Sequence, residues 1–347
     1  GTLRVQAKDW HSLPPDGTEG LRIRAVRFRR AVIRKYREWG LEGNSLAVVS
    51  AVSLGEKRAL NDQLREVYST SGVSHVLAVS GLHVGIMCWF LYLIFPAVLY
   101  RKAEWLRQLL VMGVLWAYAF AIGLPVSITR TLIMFSIVAI CRALERETSA
   151  LNSLGIAAMI MLAANPSALF DMSFQLSFSA VLFIVIITPI MLQIYEPSNP
   201  LGRYVWRVSV LSFAAQIGTV PIVMYHFSGF STYVMLANLI VVPVMFVIVS
   251  LSMSLWIVGW FPFFRAVVVT SLTWLVDNMT GLLTRISALP YSHLELSLHR
   301  GWVVFVIYTV VILICLWYKE KRTHRLVQAL ACITAATILA LFQNFVV

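Results

Sequence analysis

From residue 75 onward the sequence is almost continuously apolar, and this feature restricts the fold more than any other. Ten apolar segments of about 14–30 residues follow one another, against the ~20 that a helix needs to cross the hydrocarbon layer. They cover residues 75–100, 106–124, 127–141, 151–164, 173–194, 204–227, 232–261, 266–288, 302–318 and 324–347. In the whole chain 59% of residues are hydrophobic and 13% are charged, too apolar for a soluble domain. The sequence therefore predicts an all-α polytopic membrane protein with about ten transmembrane or partly inserted helices.

The third and fourth of these segments are short, and Pro189 and Pro243 interrupt the fifth and the seventh. Short or broken helices in membrane proteins usually line cavities, because backbone groups freed from a helix cannot face lipid. The pattern thus indicates a protein with an internal path or binding site rather than a simple anchor.

The residues before the apolar region are polar and basic. Residues 1–20 have no signal-peptide pattern and are interpreted as the end of a preceding domain or a linker. Residues 21–74 are predicted to form basic amphipathic, interfacial helices, one over 21–39 and another over 57–68. Residues 44–54 between them are apolar but too short to span a membrane. Residues 75–347 form the predicted transmembrane domain.

An apolar stripe runs along the first of these helices, and cations cover most of its remaining surface. The stripe contains Leu21, Ala25, Phe28, Val32, Tyr36 and Trp39. The cations are Arg22, Arg24, Arg27, Arg29, Arg30, Arg34, Lys35 and Arg37. Such a helix either lies on lipid headgroups or forms a collar that attracts the phosphates of a nucleic acid, and both roles can hold at once.

Basic residues between the spans indicate the orientation. The connections after spans one, three, five, seven and nine carry Arg101, Lys102, Arg107, Arg142, Arg146, Arg203, Arg207, Arg265, Lys319, Lys321, Arg322 and Arg325. The opposite connections and nearby helix ends hold Arg130, Arg285 and Arg300. The positive-inside rule places the first set in the cytoplasm and both termini on the outer side. The basic helix then faces outward, which favours a collar that receives something anionic.

Two histidines and a serine lie at the mouth of the first span, where polar groups are costly. His75 and His83 have no third ligand nearby, so the sequence predicts neither a metal nor a cofactor. Ser80 stands in AVSG, which resembles the GxSG of intramembrane serine proteases without its first glycine. A nucleophilic Ser80 stays open beside structural and pore-lining roles, and the last two are favoured.

Residues 170–181, FDMSFQLSFSAV, form the second unusual stretch. Ser173 and Ser177 lie one helical turn apart with Gln175 between them, so polar groups enter the membrane on two flanks. Phenylalanines repeat every four residues here, and they either pack against neighbouring helices or stack unpaired bases. Asp171 is predicted to cap the N-terminus of this helix.

Four further polar residues stand inside or beside predicted spans. Arg130, at the head of a short span, either extends its guanidinium to the interface or presents a cation to passing phosphates. Gln216, His226 and Asn238 each lie in a stretch that also contains a proline. Hydrogen bonds between helices and local kinks explain these three equally well.

Five stretches in a fixed order resemble the ComEC family of competence proteins: SHVLAVSGLHVG, LPVSITRTLIM, NSLGIAAMIMLAANPSALFDMSFQLSFSAV, AQIGTVPIVMYHF and LANLIVVPV. Thr131 departs from the alanine usual in the family. The resemblance implies import of single-stranded DNA across the bacterial inner membrane during natural transformation. It also implies an oligonucleotide-binding domain and a nuclease domain elsewhere in the full-length chain. No HxHxDH motif is found here, so this stretch is not expected to be an enzyme.

Together these features predict a channel for single-stranded DNA. The predicted path residues are His75, Ser80, His83, Arg130, Ser173, Gln175, Ser177, Gln216, His226 and Asn238. The predicted outer collar is Arg22, Arg24, Arg27, Arg29, Arg30 and Arg34. With no ATPase motif in the sequence, a partner such as a cytoplasmic ATPase or DNA-binding protein, or another gradient, must drive transport. The main alternative is a small-molecule transporter or lipid flippase, and a membrane-embedded enzyme is the third.

Overall fold

The computed structural model describes residues 21–95, 104–227, 229–294, 301–320, 324–325 and 327–335. These residues form helices α1 Leu21–Glu38, α2 Gly43–Leu54, α3 Asp62–Thr70, α4 Gly81–Ile94, α5 Glu104–Ile122, α6 Val126–Ala143, α7 Ala150–Ala164, α8 Met172–Ile194, α9 Pro200–Phe227, α10 Val234–Val258, α11 Pro262–Ser287 and α12 Gly301–Glu320. Two short antiparallel strands, β1 Phe230–Ser231 and β2 His293–Leu294, pair with each other. Short 3₁₀ segments cover Ser74–Val76 and Pro166–Phe170.

The expected all-α polytopic architecture is confirmed. Within the described residues, α5, α6 and α8 to α12 are long and apolar enough to cross a membrane, and α2, α4 and α7 are shorter apolar helices. Helices α4 to α12 coincide with nine of the ten predicted segments. Most of the tenth segment, the predicted domain end at 1–20 and the side chain of Arg22 lie outside the described residues.

The interruptions predicted at two prolines are wrong. Pro189 lies inside α8 and Pro243 inside α10, and both helices continue through them. A proline removes one backbone hydrogen bond and crowds the preceding turn, but the remaining turns of these long helices stay bonded. The irregular backbone in this bundle lies instead between α2 and α4.

Helix α1 is most deeply buried in its C-terminal half. Val32, Tyr36 and Trp39 of its apolar stripe are buried, whereas Phe28 is 52% exposed. The Tyr36 hydroxyl donates to Ser53 Oγ in α2 (3.4 Å) and accepts from Trp256 Nε1 in α10 (3.1 Å). Aromatic packing and two hydrogen bonds therefore hold this end of the basic helix, while Val26 and Arg29 further along α1 lie against the turn after α2.

Helix α2 is buried on every side. All residues from Ser45 to Leu54 are buried, because α2 packs between α1, α10 and α11. Its serines bond mainly to the helix itself: Ser53 Oγ donates to the carbonyl of Val49 (2.6 Å). The sequence predicted interfacial helices for 21–74, and this part of that range belongs to the core because it is apolar all round.

Helix α2 packs against α10 and α11, and α3 packs against α11. Trp39 packs on Gly259, just past the last residue of α10, where an added Cβ would be 3.0 Å from the indole ring. Gly72 packs on Val234, the first residue of α10. About 37 Å of helix separates these two contacts, at 1.5 Å per residue. Residues 39–72 therefore cover the height of a full span in two pieces.

The β1–β2 pair marks one end of the bundle. It joins the connection after α9 to the connection after α11, and Gly72 lies against Ser231 of β1. The segment before α4 thus shares this end with those two connections, as the charge pattern predicts. The C-terminal end of α1, however, lies at the opposite end of α10, so residues 21–74 are not confined to one face. Which end faces outward remains a prediction.

Candidate functional site

Ser80 and His83 meet where α4 begins. Ser80 is the N-cap, and its backbone N–H donates to His83 Nδ1 (3.1 Å) while its hydroxyl lies 2.8 Å from the same atom. Because Nδ1 accepts the backbone proton, the ring proton of a neutral His83 must be on Nε2. Nε2 is buried and has no partner among the described residues. The pair forms a capping box, which accounts for both residues without catalysis.

A serine next to a histidine also has the spacing of a nucleophile and its base. In such sites a third group usually orients the far ring nitrogen. No described side chain bonds to His83 Nε2, so a third member is missing from the part of the chain that is described. Nor do three His, Cys, Asp or Glu side chains converge on a possible metal site within those residues.

Arg130 connects three helices from the interior of the bundle. Its side chain is only 6% exposed, and its guanidinium donates to the backbone carbonyl of Ser177 in α8. The guanidinium also lies 5.8 Å from the ring of Phe178. A Cβ added to Gly81 of α4 would be 3.3 Å from Arg130 Nη2, so α4 is in close contact as well. Arg130 is thus buried between helices rather than extended to the interface.

Two hydroxyl groups that were not predicted as path residues complete this arrangement. Ser127 Oγ accepts from Ser177 Oγ (3.0 Å), and Thr131 Oγ1 donates to the carbonyl of Ser127 (2.8 Å). Ser127 lies one helical turn before Arg130, and this spacing was the available signal, whereas Thr131 directly follows Arg130. We name as the polar cluster Ser80, His83, Ser127, Arg130, Thr131 and Ser177.

Three other predicted path residues lie outside the polar cluster. His75 is exposed on the segment before α4. Ser173 is exposed, and its backbone N–H donates to Asp171 (2.7 Å), which confirms the predicted cap of α8. Gln175 Nε2 donates to the carbonyl of Leu169 (3.0 Å), so this amide closes the turn before α8.

The remaining three lie on α9 and α10. Asn238 is buried, and its amide donates to Ser212 Oγ (3.2 Å) between the two helices. Gln216 has a buried Nε2 without a partner among the described residues. His226 is exposed beside the ring of Tyr225, with 5.0 Å between ring centroids. The predicted residues therefore divide into the polar cluster and scattered positions on the segment before α4 and on α8, α9 and α10.

Comparison with known proteins identifies the family. Residues 52–321 match the sequence model of a family described as competence protein, which is more than half of the chain. This chain belongs to the competence protein family. It is a multi-pass membrane protein, and no solved structure matches it.

Curated relatives cover different shares of the chain. ComE operon protein 3 of Bacillus subtilis (strain 168) is 24% identical over 318 residues, which are 88% of this chain and 38% of that protein. Recombination protein 2 of Haemophilus influenzae is 26% identical over 214 residues, 58% of this chain and 27% of its own. An uncharacterized protein of Aquifex aeolicus is 29% identical over 197 residues, with shares of 56% and 44%. The chain spans less than half the length of each.

The family match includes the polar cluster but not the collar arginines of α1. All members of the polar cluster lie within 52–321, whereas α1 with its arginines precedes that range. In this competence protein the collar arginines Arg24, Arg27, Arg30 and Arg34 are exposed and Arg29 is half-buried. Four of these arginines therefore lie at the surface of the described structure, in contrast to Arg130.

Proposed function

We propose that this chain is the membrane-spanning part of a DNA importer and conducts single-stranded DNA across the bacterial inner membrane in natural transformation. The observation that carries the proposal is membership of the competence protein family over residues 52–321. The names of two relatives, ComE operon protein 3 and Recombination protein 2, point to competence and recombination. Both proteins are much longer than this chain, so the accessory domains belong to the proposal and not to the residues described.

The physical problem is to move one negative charge per nucleotide across roughly 30 Å of hydrocarbon. Moving a bare ion into a low dielectric costs on the order of 20 kcal/mol, so the path must be wet and poor in carboxylates. The polar cluster consists of hydroxyls, one imidazole and one guanidinium, with no acidic member. In the proposed path such side chains would not repel phosphates.

The exposed arginines of α1 supply the receiving surface of the proposed importer. Cations that neutralise phosphates release condensed counterions, so binding is strong at low salt and weakens steeply as salt rises. In this proposal both ends of the chain face the outer side, and lipid surrounds the apolar helices. A cytoplasmic ATPase or DNA-binding protein, or another gradient, then pulls the strand inward.

Site-directed photo-crosslinking during DNA uptake tests the proposal. A photoreactive phenylalanine analogue is introduced at Ser177 of the polar cluster and, as the matched control, at Phe305 of α12, which is 76% exposed. We expect single-stranded DNA adducts from position 177 and only lipid adducts from position 305. Equal DNA labelling at both positions, or none at 177 during active uptake, would contradict a path through the polar cluster.

A further inference from the structure

A basic cavity of about 350 Å³ lies where α1 crosses the bend between α2 and α3. Its lining includes Arg29, Arg30, Glu56, Lys57, Arg58 and Arg65. Two of these cations come from α1 and three from the bend and α3, so only the tertiary fold assembles them. We refer to this set as the basic cavity.

The backbone around the basic cavity is held in place by its own hydrogen bonds. Gly55 ends α2 at φ +70°, a left-handed conformation that suits glycine. Asn61 caps α3 by accepting from the backbone N–H of Leu64 (2.7 Å). Arg65 Nη2 donates to the carbonyl of Lys57 (2.8 Å), which ties the bend to α3. The cations therefore stand on an ordered turn.

The cations of the basic cavity are not neutralised within the described residues. The five cations share the cavity lining with one carboxylate, that of Glu56. This carboxylate accepts a hydrogen bond from the backbone N–H of Arg58 (3.2 Å). Arg58 Nε is 3.8 Å from the same carboxylate, and Asp62 is 3.9 Å from Arg65. Arg29 Nε is buried and has no hydrogen-bond partner among the described residues. Folding thus gathers positive charge that an anion would stabilise.

The position of the bend in the bundle adds a second argument. It lies between Trp39, which packs at one end of α10, and Gly72, which packs at the other. Non-helical backbone at membrane depth is tolerated only where protein buries it or where it borders water. Lys57 and Arg58 are exposed there, and cations do not face hydrocarbon, so we infer that this bend borders water. Ionised residues in such places mark the route of a substrate or ion.

We propose that the basic cavity binds consecutive phosphates of a single DNA strand on its way from α1 into the bundle. This inference rests on the proposed function and names a site for it. Guanidinium groups bind phosphate oxygens in pairs, and 350 Å³ is in the range of small-ligand pockets, about 300–1,000 Å³. Among the described residues no aromatic side chain lines the cavity, so in this proposal it contacts the backbone and not the bases.

Affinity for DNA in neutral-lipid nanodiscs tests this site. The purified chain is titrated with a fluorescent single-stranded oligonucleotide over a range of salt. The cavity variant is Lys57→Gln with Arg58→Gln, and the matched control is Arg142→Gln with Arg146→Gln, which removes two exposed charges elsewhere. We expect the cavity variant to bind about tenfold more weakly per lost contact. Its slope of log K against log salt should fall by about 0.7 per contact.

The possible outcomes distinguish failure of the proposed phosphate site from failure of the proposed function. If the cavity variant and the control lose affinity equally, the basic cavity is not the site, although the chain still binds DNA. If the unmodified chain fails to bind single-stranded DNA, the proposed function itself fails. Native mass spectrometry measures whether phosphatidylglycerol stays bound to each variant. If the cavity variant loses this lipid but keeps its affinity for DNA, the cavity is a headgroup site and the inference is overturned. Unchanged melting temperatures of both variants exclude misfolding as the cause.

Discussion

The polar cluster and the basic cavity both contain arginine, but they use it in opposite ways. Arg130 is buried, donates to a backbone carbonyl and lies beside an aromatic ring. Lys57 and Arg58 stand on a turn, exposed, with a single carboxylate nearby. The first arrangement holds the guanidinium against other parts of the protein, although Arg130 Nε has no partner among the described residues, and the second leaves exposed positive charge for a ligand. A cation in a membrane protein therefore indicates ligand binding only once its partners are known.

This difference also suits transport of a long polyanion. Conduction requires sites that bind well enough to admit the ligand and weakly enough to release it. Concentrated cations in the basic cavity would capture phosphates, whereas the mostly neutral polar cluster would hold them weakly. The following predictions test whether the two regions differ in this way, beginning with the largest expected effect.

Replacement of Arg130 by alanine should destabilise the bundle most. The change removes a charge-assisted hydrogen bond between α6 and α8 and the contact with Phe178, so the free energy of unfolding should fall by about 3 kcal/mol. Thermal unfolding in detergent measures it, with Arg285→Ala, at an exposed position of α11, as the control. A stable Arg130→Ala protein that no longer conducts DNA would break the comparison, because Arg130 would then be a ligand-binding cation.

Gly81→Ala tests how closely α4 packs on the polar cluster. The added Cβ would lie 2.7 Å from Thr131 Oγ1, and overpacking of this kind costs roughly 1–3 kcal/mol. Gly85→Ala is the control on the same helix, because no atom lies within 4 Å of its added Cβ, and it should be neutral or stabilising. Combining Gly81→Ala with Thr131→Ala should restore stability. No recovery in that double variant would place the strain elsewhere.

Tyr36→Phe tests how strongly the buried half of α1, in contrast to its exposed arginines, is held to the bundle. The lost hydroxyl bonds to Ser53 and to Trp256, so unfolding should become easier by about 1 kcal/mol. Chemical unfolding followed by tryptophan fluorescence measures the change. Tyr291→Phe, at a position that is 78% exposed, is the control and should have no effect. Equal stability of the two variants would mean that these hydrogen bonds do not hold α1.

The smallest effect on stability is expected where the charges are exposed. Replacing the arginines at 22, 24, 27, 29 and 30 with glutamine should reduce DNA uptake, since the receiving charge is lost. The free energy of unfolding should change by no more than about 0.5 kcal/mol per exposed site. Uptake assays and thermal unfolding on the same preparation test both statements. Unchanged uptake would remove the receiving role assigned to α1.

Much of the secondary structure follows from local pattern. Nine apolar segments became helices because a segment of that length and composition has few alternatives in a membrane. Asp171 caps α8 as predicted, since a cap depends only on residues within one turn. The prediction at Pro189 and Pro243 was wrong because it considered only the local effect of proline. A long helix continues through a single missing hydrogen bond.

The amino-acid sequence by itself determined the class of protein, the positions of the helices and the basic face of α1. Each depends on the composition or spacing of neighbouring residues. Only the tertiary structure decided that α2 is core, that α2 and α3 share the height of one span, and that Arg29 meets Lys57 across a cavity. Those features depend on contacts between residues far apart in the chain, and helical periodicity shows that a face is polar but not which other face it meets.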